Sequence, residues 1–334
     1  MYFSLVIPVY NRPHEVRELL ESLSQQDYGG KFEVVIVEDG SAISSREIVE
    51  TFSGKLFLSY YYKQNTGPGD SRNYGMEKAK GDYFIILDSD CIIPPGYLTA
   101  VAQNLQAEFV HCFGGPDAAL DSFSNVQKAI NFSMTSFITT GGVRGKTEKI
   151  SKFQPRSFNM GLSRQAFEAT GGFGNIHPGE DPDLALRLWK MGYKTKLFTN
   201  AYVYHKRRID WYKFYMQVNK FGKVRPILDQ WHPEYRKITY LFPALFFIGF
   251  ICSVLFLLIH VYFPLYLYIL YFIMVFVISA VKNKSLKIGM LSVPAAAIQF
   301  YGYGRGYIEA FVKIVVLKKQ PQNVFPTLFF KKND

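Results

Sequence analysis

At 334 residues the chain is long enough for one large domain with an appendage, or for two modest domains. Its 38 basic against 27 acidic side chains leave a net charge of +11, a balance that favours anionic partners: nucleic acid, nucleotide phosphates or acidic headgroups. Aromatics at 17% are high for a soluble nucleic-acid binder and suit a chain that meets a bilayer interface. Cys91, Cys112 and Cys252 are too few and too widely spaced for a disulfide framework or a zinc site, and point to a reducing compartment. The opening MYFSLVIPVYNRP has no basic leader and too short an apolar run for a signal peptide, so this part is expected in the cytosol.

Up to residue 205, short apolar runs alternate with amphipathic ones. Strands are expected at 2–9, 32–38, 56–62 and 83–88, and helices at 13–26 (opened by Pro13), 44–52 and 68–80. Strand–helix alternation with nearly continuous apolar strands predicts an α/β fold, a parallel sheet covered on both faces. Ligands of such sheets bind beyond the carboxyl ends of the strands, which singles out Tyr10 and Asn11, Asp39 and Gly40, and Asp88 to Asp90. Residues 114–156 are irregular, with a glycine-rich stretch at 139–145 that suits either a mobile loop over a site or an ordinary surface loop. A strand near 157–162, helices near 163–170 and 182–191, and a strand near 195–204 close the domain.

From 206 the character changes. Basic residues including Lys206, Arg207, Arg208, Lys220 and Arg225 alternate with Trp211, Tyr212, Phe214 and Phe221, as in a helix lying among lipid headgroups. Residues 240–259 and 261–281 contain no charge, and each matches the roughly 20 residues needed to cross a bilayer core. A junction of one residue, His260, predicts a tight hairpin with Lys282, Lys284 and Lys287 on the same side as Arg236 and Lys237. The apolar stretch 288–317 carries Gln299, Arg305, Glu309 and Lys313 and reads as interfacial or re-entrant. The expected division is therefore 1–205 catalytic, 206–239 basic aromatic interfacial, 240–281 transmembrane hairpin, and 282–334 amphipathic or re-entrant segment with a basic tail.

The strongest local signal is Leu87-Asp88-Ser89-Asp90 at the end of an apolar strand. Two carboxylates two residues apart can converge on one hard cation, Mn²⁺ or Mg²⁺, which in turn can bridge the phosphates of a nucleotide sugar. A polar strand end is the plainer explanation of the same residues.

Five motifs in order favour the first. VIPVYNR at the N-terminus, VEDGS at 37–41, NTGPGDSRNYGMEKAKGDYFIILDSD at 65–90, FNMGLSRQAFEATGGF at 158–173 and GEDPDLALRLWKMGY at 179–193 resemble the family 2 glycosyltransferases of the GT-A fold. The resemblance implies a Rossmann-like nucleotide-diphospho-sugar transferase domain, followed here by C-terminal membrane-associated helices. It implies donor contacts from Pro8, Tyr10, Asp39, Arg72, Asp88 and Ser89, a metal held by Asp88, Asp90 and His205, and Asp181 as general base with Glu180 in reserve. Structural roles compete at each: Asp39 as a turn residue, Arg72 and His205 as surface residues, and Asp181 as a helix cap before Pro182. Asp183 is an alternative cap that would leave Asp181 free. Gln217-Val218-Asn219-Lys220-Phe221 resembles the family's Gln-x-x-Arg-Trp motif with both key residues altered, which argues against processive synthesis.

The expected activity is inverting, metal-dependent transfer of a hexose or N-acetylhexosamine from a nucleotide sugar, UDP-linked by family habit. The acceptor is a lipid-linked glycan or glycolipid at the cytosolic face of the inner or cytoplasmic membrane. The alternatives are transfer to polyprenyl phosphate, and a non-catalytic membrane scaffold that binds nucleotide sugars. Two uncharged membrane-length segments exclude a nucleic-acid partner.

Overall fold

The computed structural model describes residues 1–118, 123–141, 152–205 and 210–330. Strand β1 (Phe3–Val9) leads through α1 (Pro13–Leu23) to β2 (Phe32–Asp39), and α2 (Arg46–Glu50) leads to β3 (Leu58–Lys63). Helix α3 (Pro68–Lys78) precedes β4 (Tyr83–Leu87), the short β5 (Cys91–Ile92) and α4 (Tyr97–Ala107). Next come β6 (Cys112–Gly114), β7 (Asp117–Ala118), α5 (Asn125–Thr135) and α6 (Phe137–Thr140). Then follow β8 (Asn159–Ser163), α7 (Arg164–Thr170), α8 (Glu180–Lys190), β9 (Thr195–Leu197) and β10 (Val203–His205). Four helices of the C-terminal half are α9 (Trp211–Trp231), α10 (Phe242–Leu255), α11 (Phe263–Asn283) and α12 (Leu286–Ala310).

The chain divides into two compact units. The first comprises Met1–Ala118, Lys146–Lys206 and Phe329–Asp334. Its main sheet has the order β3-β2-β1-β4-β8-β6-β9, and β5, β10 and β7 make a second, three-stranded sheet. Strands β3, β2, β1 and β4 run parallel. Alternation of side chains along them builds two apolar layers. Leu5, Ile7, Val34, Ile36 and Ile85 meet Val16, Leu19, Leu20 and Leu23, the apolar stripe of α1. On the other face Val6, Val35, Val37, Phe84 and Ile86 meet Met76 of α3 and Leu184 and Leu188 of α8. Each such aliphatic side chain, fully buried, stabilises the fold by about 1.5–3 kcal/mol.

Three features depart from the sequence reading. The sheet is mixed, because β8 runs antiparallel to both β4 and β6. All five residues of β8 are buried, and a strand buried on both faces has no one-sided pattern that reveals its direction. The strand expected at 195–204 is two pieces in different sheets, separated by a turn in which Ala201 N–H donates to the Phe198 carbonyl at 3.1 Å. Within 114–156, residues 125–135 form a helix closed by a capping box between Ser124 and Gln127. The rest of the glycine-rich stretch beyond Gly141, and Lys206, Arg207 and Arg208, lie outside the described residues.

The second unit comprises Ala119–Gly145 and Arg207–Leu328. Helix α12 packs against α9, α11, α5 and α10. Small residues permit this: a β-carbon on Gly222 would meet the backbone at Tyr303, and one on Gly306 the carbonyl of Asn219. Asn219 also donates through Nδ2 to the Gly302 carbonyl at 3.0 Å, so this part of the altered Gln-x-x-Arg-Trp stretch serves helix packing. The helical stretches Ile238–Ile259 and Phe263–Asn283 are long and apolar enough to cross a membrane, and only 11% of each one's apolar window is buried within the protein.

Candidate active site

The loops that leave β1, β2 and β4 at their carboxyl ends are tied to one another. Asn11 adopts a left-handed backbone (φ 54°) and its Oδ1 accepts from Ala42 and Ile43 N–H at 2.7 and 3.1 Å, while its own N–H donates to Ser41 Oγ at 2.8 Å. Buried Glu38 gathers the same loop, accepting from Ser45 N–H at 2.9 Å, from the Tyr60 hydroxyl at 3.1 Å and from the hydroxyls of Ser41 and Ser45. Asp39 is buried too. It accepts from the N–H groups of Thr66 and Gly67, both at 3.0 Å, and from Lys63 Nζ at 2.7 Å. Both Asp39 oxygens therefore hold the loop that enters α3. Tyr10 is 53% exposed at the end of β1, and Pro8 is half-buried within it opposite Val37.

Beyond β4, two arginines take one acid each. Arg72 on α3 is 3% exposed and donates through Nη2 to Asp88 at 2.8 Å and through Nη1 to Glu180 at 3.1 Å. Burial pulls the Arg72 pKa down, but the two carboxylates outweigh it and raise it. Arg12 donates through Nη1 to Asp90 at 2.8 Å. Ser89 between the acids is buried. His205, on the strand that pairs with β5, faces Asp90 Oδ1 through Nε2 at 3.2 Å, and its ring stacks on Phe158 with centroids 4.8 Å apart.

The donor atoms of Asp90, Cys91 and His205 all lie within 4.8 Å of one another. The buried Cys91 thiol donates to the Phe158 carbonyl at 3.5 Å, and burial, with Asp90 and Asp88 adding to it, pushes its pKa well up. The buried Nδ1 of His205 has no hydrogen-bond partner. A carboxylate beside an imidazole fits a divalent cation, and the nitrogen donor suits Mn²⁺ better than Mg²⁺. Asp88 is absent from this cluster and is engaged by Arg72 instead.

The third element is the start of α8. Its cap is Gly179 (φ 125°), so Asp181 is the second helical residue and Pro182 the third, two positions further into the helix than the sequence reading put them. No cap hydrogen bond comes from a side chain at this end, and Asp183 is committed to Arg187 at 2.9 Å. Asp181 lies 3.5 Å from Arg156, and burial raises its pKa against the pull of that arginine. Its neighbour Glu180 goes the other way. Burial works against its ionised form, but His177 at 2.9 Å and Arg72 prevail and hold its pKa at about 2. Two adjacent carboxyls are thereby driven apart, the pattern of a tuned acid–base site.

Arg12, Glu38, Asn73 and His177 were not singled out by sequence. Asn73 binds the backbone of Phe173 twice, Nδ2 to the carbonyl at 2.9 Å and Oδ1 from the N–H at 2.8 Å, stitching α3 to the loop before α8. Arg12, Glu38 and Asn73 lie within the motifs VIPVYNR, VEDGS and NTGPGDSRNYGMEKAKGDYFIILDSD, whereas His177 lies in none of them.

A mixed sheet with loops and an acid pair gathered at its carboxyl edge is the GT-A fold. It superposes on a mannosyltransferase from Pyrobaculum calidifontis, PcManGT, solved in complex with GDP-Man and Mn²⁺, with a TM-score of 0.57 at 16% identity over 95% of this chain and 88% of that one. Residues 4–171 match the family model described as Glycosyl transferase family 2, and the chain belongs to that family. A stretch of 93 residues is 40% identical to poly(ribitol-phosphate) beta-N-acetylglucosaminyltransferase TarS of Staphylococcus aureus, covering 27% of this chain and 16% of that protein. Another of 162 residues is 25% identical to the GalNAc(5)-diNAcBac-PP-undecaprenol beta-1,3-glucosyltransferase of Campylobacter jejuni, covering 47% of this chain and 50% of that protein. The chain thus matches half or less of the length of these two relatives.

Proposed function

We propose that the chain is an inverting glycosyltransferase that moves a sugar from a nucleotide-sugar donor to a lipid-linked acceptor at a membrane surface. The observation that carries this reading is the Arg72 bridge, which joins Asp88 of the acid pair to Glu180, the residue beside Asp181. Donor phosphates and acceptor hydroxyl would then meet in one place.

Asp181 accepts the proton of the acceptor hydroxyl. Its raised pKa supports this, because a base works best when its pKa lies near the operating pH. The freed oxygen pair forms the bond to the anomeric carbon as the bond to the diphosphate oxygen breaks, which inverts the configuration. Glu180, with its depressed pKa, is a poor proton acceptor and serves to hold Arg72. Arg72 and Arg12, bound to the acid pair, would be the cations that meet the departing diphosphate. Asp88, Asp90 and His205 would hold the divalent ion, which when bound supplies Lewis-acid neutralisation of the leaving group. The exposure of Tyr10 supports its stacking on the base, whereas the engagement of both Asp39 oxygens supports a role in shaping the donor loop.

Two helices of membrane-crossing length support attachment to a membrane. The Campylobacter relative acts by name on a PP-undecaprenol substrate, which supports a lipid-linked acceptor here. The Pyrobaculum protein was solved with GDP-Man, and the Staphylococcus relative is named for N-acetylglucosamine transfer, so UDP and GDP are both to be tried.

The test is calorimetric titration of the detergent-purified chain with UDP and GDP, with and without Mn²⁺, against an Asp88→Ala/Asp90→Ala control. Metal-dependent binding of one nucleotide, lost in the control, is the expected result. Absence of binding to both by folded protein would overturn the reading.

A further inference from the structure

After the second unit the chain returns to the first at Phe329. Phe329 forms a bridge with Ile176, and Phe330 N–H donates to the Asn175 carbonyl at 3.0 Å. These contacts hold the Phe330 ring between two loops of the candidate site. On one side lies Gly67, the cap residue of α3, where a β-carbon would run into the ring. On the other lies His177, with ring centroids 6.0 Å apart.

Each neighbour is the first link of a chain into the site. Gly67 N–H donates to Asp39 at 3.0 Å, and so continues into the loop after β2. His177 Nδ1 is 2.9 Å from Glu180, whose Oε1 also receives Arg72, and Arg72 reaches Asp88. Helix α3 also joins the two loops: Asn73 binds Phe173, Arg72 binds Glu180, and the bare α-carbon of Gly69 lies against the Gly174 carbonyl. Phe330 closes the far end of that seam. Because Gly67 has no side chain, the Phe330 ring lies directly against its α-carbon.

We propose that Phe330 is a positioning residue that clamps the donor loop (64–67) to the loop leading to the general base (175–180). It acts through Gly67 and His177, not directly on the acid pair or Asp181. Its effect is to hold Gly67 and His177, and through them Asp39 and Glu180, in one arrangement. The catalytic half of this inference rests on the proposed transferase reading, and the structural half does not.

The experiment is hydrogen–deuterium exchange of the full chain, wild type against Phe330→Ala, followed by peptides over 64–69 and 175–181. Faster exchange in both peptides together, by about tenfold or more, with β1 and β4 unchanged, is expected. In the transferase assay Phe330→Ala then raises the donor KM and lowers kcat, and Phe330→Tyr restores both. If either peptide keeps its wild-type rate, or if exchange rises equally throughout the sheet, the clamp is overturned. Should Phe330→Ala fail to fold, Phe330→Leu is read by the same two peptides and the same criterion. If the wild type binds no nucleotide, the proposed function falls, while the exchange result still decides the clamp.

Discussion

Arg12 and Asp90 form an ion pair at 2.8 Å, and the same guanidinium nitrogen faces Glu15 at 3.8 Å. Arg12 therefore stands as counter-ion to an acid that, on the proposed reading, holds a divalent cation. Arginine and metal compete for one carboxylate. Removing a partly exposed positive charge of this kind favours a second cation by about 1 kcal/mol, or roughly fivefold. Arg12→Ala should bind Mn²⁺ about fivefold more tightly in the absence of nucleotide, measured by calorimetry. Its affinity for nucleoside diphosphate should fall, because a cation near the phosphates is lost.

Arg72 answers two carboxylates from a buried position, so its loss takes a cation from the buried Glu180, leaving it His177, and from the partly exposed Asp88. Breaking such a pair from one side costs about 3–5 kcal/mol. Arg72→Ala should lower the thermal midpoint by several degrees and abolish nucleotide binding. Lysine lacks the planar fork that spans Asp88 and Glu180, and Arg72→Lys should recover little of either.

For Asp181 the expectation is a split between binding and turnover. Asp181→Asn should retain metal-dependent nucleotide binding while turnover drops by about 10²–10⁴-fold, the usual scale for a general base. A raised pKa means the wild-type base is protonated at higher pH than an ordinary aspartate, so the acidic limb of the kcat profile should be displaced to higher pH than an ordinary aspartate would give. Substantial activity in Asp181→Asn would point instead to an acceptor that needs no base, such as a polyprenyl phosphate.

Glu180 governs acid stability. Its pKa is about 2 in the fold against 4.5 in its ordinary state, so its ionised form stabilises the fold at neutral pH. That contribution is complete above about pH 4.5 and is lost as pH falls towards 2. Asp181, raised in the fold, works in the opposite sense: its contribution is present at low pH and is lost as pH rises through its folded value. Thermal unfolding between pH 6 and 3 should therefore show a loss of stability on acidification that is shallower in Glu180→Gln.

His205 stacks on Phe158 and meets Asp90 at 3.2 Å, which presents an imidazole nitrogen to the proposed ion. His205→Ala should weaken Mn²⁺ binding more than Mg²⁺ binding, as expected when a nitrogen donor is withdrawn. Competition titrations of the two ions against one nucleotide would read the difference.

The sequence by itself determined the leading elements of the first unit, from β1 to β4, and the places where those strands end. Period-two and period-3.6 apolar patterns act over a few residues, so β1, α1, β2 and β4 could be read from their own side chains. The acid pair was readable for the same reason, since Asp88 and Asp90 follow directly on a buried strand. Tertiary structure alone decided what these patterns leave open. The direction of β8 is invisible in a run buried on both faces, and the break between β9 and β10 depends on which sheet each piece joins. Pairings over long separations were equally hidden: Arg12 with Asp90, Arg72 with Glu180, Phe330 with Gly67. So were the opposite pKa shifts of Glu180 and Asp181, neighbours in the chain and both carboxyls. Those shifts follow from burial and from which cations lie beside each group, and both are properties of the packed molecule.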